Sequence, residues 1–331
     1  MNTILISILI PVYNVEKYLN RCLDHLLIQI NEDDCEIIIV DDGSTDCSGK
    51  ICDEYKSKHS KIIKVYHKAN EGAYPTRNYA LDRSSGKYVW LIDPDDYIQD
   101  YSIEEIRKIL QGSQHLDVVS MAYKCFSGTT YSELKNVVRH NYTVSGKDFL
   151  KDKAPDPYLW SKIYNRDFLL KSGIRFNDKL NTQGDWLFNI TVFIKAQKII
   201  CTNIYAYNYF QGNPTSTLRN PDKKHRIRGA ENSILAVLEY KKLIEQNNNK
   251  EIEPTLRSLM SLILAGFLFS LYRFRFNTDF IANKIEILHQ NGLYPVQKCN
   301  YNRKANLFLF FANKKTLFLL SCRIRKAFKN K

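Results

Sequence analysis

Tyr88-Val89-Trp90-Leu91-Ile92-Asp93-Pro94-Asp95-Asp96 joins an apolar run to three carboxylates within four residues. An unbroken apolar run of this length suits a strand covered on both faces. Carboxylates crowded at a strand end repel one another, and leaving them unpaired is costly. A divalent cation removes that cost, and carboxylate oxygens suit the hard ions Mg²⁺ and Mn²⁺. Such an ion can bridge two phosphates and neutralise a leaving nucleoside diphosphate. A solvated turn capping a helix near Ser102–Gln111 accounts for the same residues, and an isolated Asp-x-Asp would carry no more than that.

The residues upstream give the cluster its weight. Ile4–Val12 is another apolar run, followed by helical spacing of Leu19, Cys22, Leu23, Leu26 and Leu27 within Val15–Ile30. Glu36–Val40 reads as a strand and Thr45–Ser60 as a helix with Ser44 or Thr45 as N-cap. Ile62–His67 reads as a strand and Thr76–Arg83 as a helix. This βαβαβαβ rhythm predicts a doubly wound, mostly parallel α/β sheet, whose ligands sit outside the carboxyl ends of the strands. Three strands there end in polar residues: Tyr13-Asn14, Asp41-Asp42-Gly43-Ser44-Thr45-Asp46, and Asp93–Asp96.

Downstream, strands are expected near Val118–Tyr123 and Ile199–Tyr207, and helices near Gly146–Lys151 and Asp185–Lys195. The chain then turns helical over His225–Gln246, Glu253–Tyr272 and Thr278–Asn291. A linker at Gly212–Asp222 divides a catalytic domain, residues 1–220, from a helical C-terminal region, residues 221–331.

Three further segments carry possible chemistry. A carboxylate at Asp41 or Asp42 can accept hydrogen bonds from a base or ribose, with the next helix offering free N–H groups. A plain capped turn fits the same segment, and a calcium loop fails because its twelfth position is Cys52. Arg77 follows Asn70–Thr76 and has the planar fork suited to phosphate, although a surface arginine is the commoner case. Asp185, in Gln183-Gly184-Asp185-Trp186-Leu187-Phe188, opens an amphipathic helix. It is placed either to cap that helix or to act as a general base on an acceptor hydroxyl.

In order, Pro11-Val12-Tyr13-Asn14, Val40–Asp46, Arg77-Asn78, Gly86-x-Tyr88 and Asp93-x-Asp95-Asp96 resemble family 2 glycosyltransferases of the GT-A fold. Trp160-Ser161-Lys162-Ile163-Tyr164 and Gly184–Phe188 are similar to the bacterial members that build cell-surface polysaccharides, such as capsule. The resemblance implies a Rossmann-like GT-A domain, to which the helical pattern beyond Lys223 adds a C-terminal extension. It implies a nucleotide-sugar donor, usually a UDP-sugar, with Mn²⁺ or Mg²⁺, and a glycan or lipid-linked saccharide as acceptor. Donor contacts then fall on Pro11, Tyr13, Asp41, Asp42, Arg77, Asp93 and Asp95, with Tyr13 against the base and Asp42 reading it. The metal falls on Asp95 and Asp96 and the catalytic base on Asp185, with inversion at the anomeric carbon. Two departures stand out. The loop before Arg77, usually two glycines and small residues, is Glu71-Gly72-Ala73-Tyr74-Pro75, and the usual Glu-Asp of the base motif is Gly184-Asp185.

With 44% hydrophobic and 25% charged residues, a 331-residue chain can bury a sizeable core, which excludes disorder over its whole length. Eight scattered cysteines with no zinc spacing fit reduced thiols in a cytoplasmic protein. The first 11 residues lack a basic n-region and cleavage site. The apolar stretch Leu259–Leu271 is shorter than the roughly 20 residues that span a bilayer. Net charge is +13, but no acid follows Glu286, and without the ten basic residues beyond it +3 remains. The acid-free segment Leu307–Phe328 mixes Leu, Phe and Ile with Lys and Arg. It fits an anionic membrane surface, peripherally on the inner face, or a terminal helix docked on the protein. No nucleic-acid recognition module is present. Two rival functions are a nucleotidyltransferase, which would need a Gly-rich basic loop where Pro11–Asn14 stands, and a non-catalytic GT-A partner, against which Asp185 argues.

Overall fold

The computed structural model describes residues 4–30, 32–113, 115–152, 156–214, 216, 222–247 and 249–327. They form two compact units: Met1–Phe149 with Asp156–Ser216, and Leu150–Pro155 with Thr217–Lys331. The expected boundary at 220/221 lies outside the described residues, as does Phe328 at the end of the basic tail.

The first unit opens with β1 (Ile6–Val12), α1 (Glu16–Leu27), β2 (Cys35–Asp41), α2 (Ser48–Lys58), β3 (Ile63–His67), α3 (Ala73–Arg83) and β4 (Tyr88–Leu91). It continues with β5 (Tyr97–Ile98), α4 (Ser102–Gly112), β6 (Val118–Ser127), β7 (Thr130–Tyr131), β8 (Tyr142–Val144) and α5 (Gly146–Asp152), which runs into the second unit. It ends with β9 (Lys162–Asn165), α6 (Arg166–Lys171), α7 (Gly184–Lys195) and β10 (Ile199–Phe210). The strand order is β3-β2-β1-β4-β9-β6-β10-β5, with β7 on β6 and β8 on β10. Pairings among β3, β2, β1 and β4 are parallel, whereas β9 is antiparallel to both β4 and β6. Every residue of β2 and β4 is buried, including Glu36, which accepts from Ser7 Oγ of β1 at 2.6 Å.

Chain order reverses at β1, which has β2 on one side and β4 on the other. Such a switch point opens a crevice at the carboxyl ends of those strands. Pro11 is compatible with a central strand here. The Leu9 carbonyl accepts from Ile92 N–H and the Val12 carbonyl from Asp42 N–H, so odd-numbered residues face β4. Pairing with β4 stops at Leu9, and the missing N–H of Pro11 costs no ladder bond. Gly86 has a packing reason, since a Cβ there would stand 2.6 Å from the backbone nitrogen of Ser7.

Two helix starts differ from expectation. Helix α2 begins at Ser48, because Thr45 and Asp46 stay in a turn that donates to the Asn14 side chain. Helix α3 begins at Ala73, one turn early, with Pro75 in the first turn, where a missing N–H is harmless.

In the second unit, α8 (Lys223–Gln246) packs on α9 (Glu253–Arg273), α10 (Thr278–Gln290) on α12 (Lys315–Ala327), and α11 (Arg303–Ala312) on both α9 and α12. Contrary to the sequence expectation, α9, with 21 residues, is long and apolar enough to cross a membrane by length and composition. The apolar stretch Leu259–Leu271 lies within a helix that starts at Glu253, and 56% of the helix's most apolar window is buried inside the protein. All eight cysteines are free.

Candidate active site

The crevice at β1 and β4 gathers side chains that the sequence keeps far apart. Arg77, only 7% exposed on α3, is at its centre. One guanidinium nitrogen donates to Asp185 Oδ1 at 3.0 Å and the other to Asp93 Oδ1 at 2.8 Å. The guanidinium also lies 5.7 Å from the ring centres of Tyr74 and Phe176. One arginine thus holds the carboxylate after β4 and the carboxylate of α7 on a common fork.

Asp185 is the second residue of α7, and the residue before the helix, Gln183, is left-handed at φ 64°. Burial raises the Asp185 carboxyl above its usual range. The Arg77 charge opposes this, the Asp93 charge adds to it, and a hydrogen bond from Tyr74 lowers it. A carboxylate made more basic by burial is suited to accept a proton.

The other carboxylates of the cluster have separate fates. Asp95 Oδ2 accepts from Asn213 Nδ2 at 2.8 Å, and its backbone carbonyl accepts from Arg21 at 2.7 Å. Asp96 is fully buried; Oδ1 accepts from Phe210 N–H at 2.6 Å and Oδ2 from the Tyr207 hydroxyl at 2.9 Å. Burial, then Asp95 and Asp93, push its carboxyl well above the ordinary range. Both Asp96 oxygens are thus taken by donors from β10, whereas Asp95 stays half-buried. Asp96 faces inward because β10 offers it two donors, and it anchors the loop from below. The Tyr207 hydroxyl also accepts from Asp93 N–H at 3.1 Å, so one phenol fixes both ends of the four-residue cluster.

Tyr13 leaves β1 with its ring 48% exposed at the mouth of the crevice. Asn14, left-handed at φ 51°, accepts from Thr45 N–H at 2.7 Å and joins the loops after β1 and β2. Asp41 accepts from Ser44 N–H and, at 2.9 Å, bonds His67 Nδ1, whose pKa it raises. Asp42 accepts from Lys68 Nζ at 2.6 Å, Glu71 N–H at 3.0 Å and Gly72 N–H at 2.8 Å. These two carboxylates hold the loops that frame the crevice, and Asp42 secures the one that delivers α3 and Arg77.

Sequence reasoning did not find Asn213, Tyr207 or the contact of Tyr74 with Gly184. Asn213 fell in the expected linker, yet it is 4% exposed and bonded to Asp95. Its neighbours Gly212 and Pro214 gave only a turn signal. Among the described residues, no group of three His, Cys, Asp or Glu side chains is placed to hold a metal alone. A Mg²⁺ or Mn²⁺ ion needs only one or two carboxylates when a diphosphate and water complete its shell, and half-buried Asp95 and Asp93 fit that donor set.

The family model for glycosyl transferase family 2 matches residues 7–173, which span β1 to just past α6 and include every crevice loop before α7. The chain belongs to that family. Among curated relatives, the glycosyltransferase EpsJ of Bacillus subtilis is 28% identical over 66% of this chain and 64% of its own length. The glycosyltransferase GlyA of Streptococcus pneumoniae is 33% identical over 62% of this chain and 31% of its own. The poly(ribitol-phosphate) beta-glucosyltransferase of Bacillus spizizenii is 30% identical over 62% of this chain and 32% of its own. The chain thus spans less than two thirds of these relatives. Among solved structures, Staphylococcus aureus TarS 1–349 in complex with UDP-GlcNAc superposes with a TM-score of 0.67 at 19% identity. That match covers 98% of this chain and 91% of the other, which establishes the GT-A fold.

Proposed function

We propose that the protein transfers a sugar from a UDP-sugar to a hydroxyl of a growing cell-surface glycan, with inversion. The observation that carries this is the arrangement of Asp93, Arg77 and Asp185 at the switch-point crevice. In the proposed step, Asp185 takes the proton of the acceptor hydroxyl. The freed oxygen forms a bond to the anomeric carbon from the face opposite the diphosphate. The bond from that carbon to the phosphate oxygen breaks, and the nucleoside diphosphate leaves with the electron pair. Tyr13 offers an exposed ring to the base. The choice of UDP rests on the TarS complexes with UDP-GlcNAc and UDP, and the choice of acceptor on the poly(ribitol-phosphate) beta-glucosyltransferase among the relatives.

Asp95, with Asp93 beside it, would hold Mn²⁺ or Mg²⁺, and the ion would neutralise charge on the leaving diphosphate. The test is sugar-nucleotide turnover, screened over UDP- and GDP-sugars with Mn²⁺ and then with EDTA. We expect turnover with a UDP-sugar that EDTA abolishes. Turnover indifferent to EDTA would remove the metal. No turnover and no stabilisation by any nucleotide sugar would leave a non-catalytic partner protein.

A second proposal concerns the tail. Helices α11 and α12 bury Leu309, Ala312, Phe318 and Cys322, and expose Leu307 (74%), Phe310 (69%), Leu320 (51%) and Ile324 (48%). Exposed Arg303, Lys304, Lys314 and Arg323 lie among these residues, and no acid follows Glu286. Exposed apolar side chains interspersed along the chain with cations fit an anionic bilayer on the cytoplasmic side, where each cation near the surface adds about 1 kcal/mol. Truncation would uncover α9, so the test is Phe310→Glu with Leu320→Glu in the full chain, floated with vesicles containing anionic lipid. We expect the wild type to float and the variant to stay in solution. Equal flotation would refute the contact.

A further inference from the structure

Tyr74 of α3 and Gly184 of α7 meet at one contact. Tyr74 is 5% exposed on the first turn of α3, and Arg77 follows it by three residues. Residues three apart share a helix face. Its hydroxyl accepts from the Gly184 N–H at 2.9 Å, at the first residue of α7. A Cβ on Gly184 would stand 2.5 Å from two ring carbons of Tyr74, closer than side-chain carbons pack. The ring therefore fills the space that any side chain at 184 would enter. It stacks on Phe176 at 5.6 Å and 5°, and Phe176 stacks on Phe188 of α7 at 4.1 Å and 6°. Helix α3 thus grips the start of α7 at two points: Tyr74 seats the backbone at Gly184, and Arg77 holds the carboxylate of Asp185.

We propose that Tyr74 is the positioning residue for Asp185. Its ring and hydroxyl set where α7 begins and so where the base points. Gly184 is the complement that makes room for the Tyr74 ring. This rests on Asp185 being the base. After the Arg77 charge, Tyr74 is also among the influences that lower the Asp185 carboxyl.

The test is a set of four variants in the full-length enzyme: Tyr74→Phe, Tyr74→Ser, Gly184→Ala, and the last two combined. Tyr74→Phe keeps the ring and removes the hydroxyl. It should lower kcat about tenfold, the rate equivalent of one hydrogen bond, and leave the donor KM unchanged. The acid limb of its kcat profile should move to higher pH, a shift that a purely structural role would not produce. Gly184→Ala should lower both kcat and Tm, and adding Tyr74→Ser should recover part of each, because the smaller side chain makes room for the Cβ. Wild-type kcat and an unmoved acid limb in Tyr74→Phe would overturn the positioning role. So would strictly additive losses in the double variant. An inactive wild type would instead overturn the glycosyl-transfer reading, and the base role with it.

Discussion

Replacing Arg77 with methionine removes the guanidinium but keeps most of its volume between Tyr74 and Phe176. Removing one partner of a fully buried ion pair costs about 3–5 kcal/mol, because the other charge is left stranded. Here the arginine side chain is 9% exposed, but Asp93 is 31% and Asp185 35% exposed, so water can reach the carboxylates. Discounting for that contact leaves about 2–3 kcal/mol at pH 7. The sign of the pH dependence follows from Asp185. Burial already raises its carboxyl in the folded state, so the folded form binds its proton more tightly than the unfolded one. Its stabilising contribution is fully present below the unfolded value of about 4 and is lost as pH rises through the folded value. Arg77 opposes that loss, and without it the loss on raising pH is larger. The Arg77→Met deficit should therefore be greatest near pH 7 and shrink towards pH 4. Urea unfolding at several pH values measures it. A deficit below about 1 kcal/mol at pH 7, or one that grows as pH falls, would refute the claim that Arg77 holds these carboxylates together.

Asp185→Asn keeps the size of the side chain and removes the base; transfer should fall by at least about a hundredfold with donor affinity unchanged, measured by product formation and calorimetry. Persistent transfer would put the base elsewhere. Tyr207→Phe should cost about 1–3 kcal/mol in urea unfolding, because buried Asp96 Oδ2 and Asp93 N–H both lose a partner, and a loss below about 0.5 kcal/mol would contradict that accounting. Glu36 is 3% exposed; burial would raise its carboxyl, but Lys64 Nζ at 2.6 Å and the donors Ser7 and Ser85 outweigh this and lower it. Its contribution is present above the unfolded value and lost as pH falls through the folded one, so Glu36→Gln should flatten the acid side of the stability–pH curve. An unchanged curve would count against that network.

The sheet was legible because its signals are local. Runs such as Ile8–Val12 and Ile37–Val40 are apolar throughout because both faces are covered, and the chain records that condition one residue after another. The polar residues at three strand ends were legible for the same reason, since a parallel sheet sends those ends to one edge. Strand β9 was missed, as four residues between a loop and a helix are too few to show a period.

Which carboxylate does what was decided by tertiary structure. Asp93, Asp95 and Asp96 are near-identical as sequence, yet one meets an arginine, one an asparagine and one the inner face of β10. Arg77 reaches Asp185 across 108 residues, and Tyr74 reaches Gly184 across 110. Composition and periodicity carry no information about such pairs, because each depends on where two helices come to rest. The sequence alone determined the family, strands β1 to β4 and the edge where chemistry collects. Only packing could assign Asp96 to the core, bring Asn213 out of an expected linker, and show Tyr74 and Gly184 to be two halves of one fit.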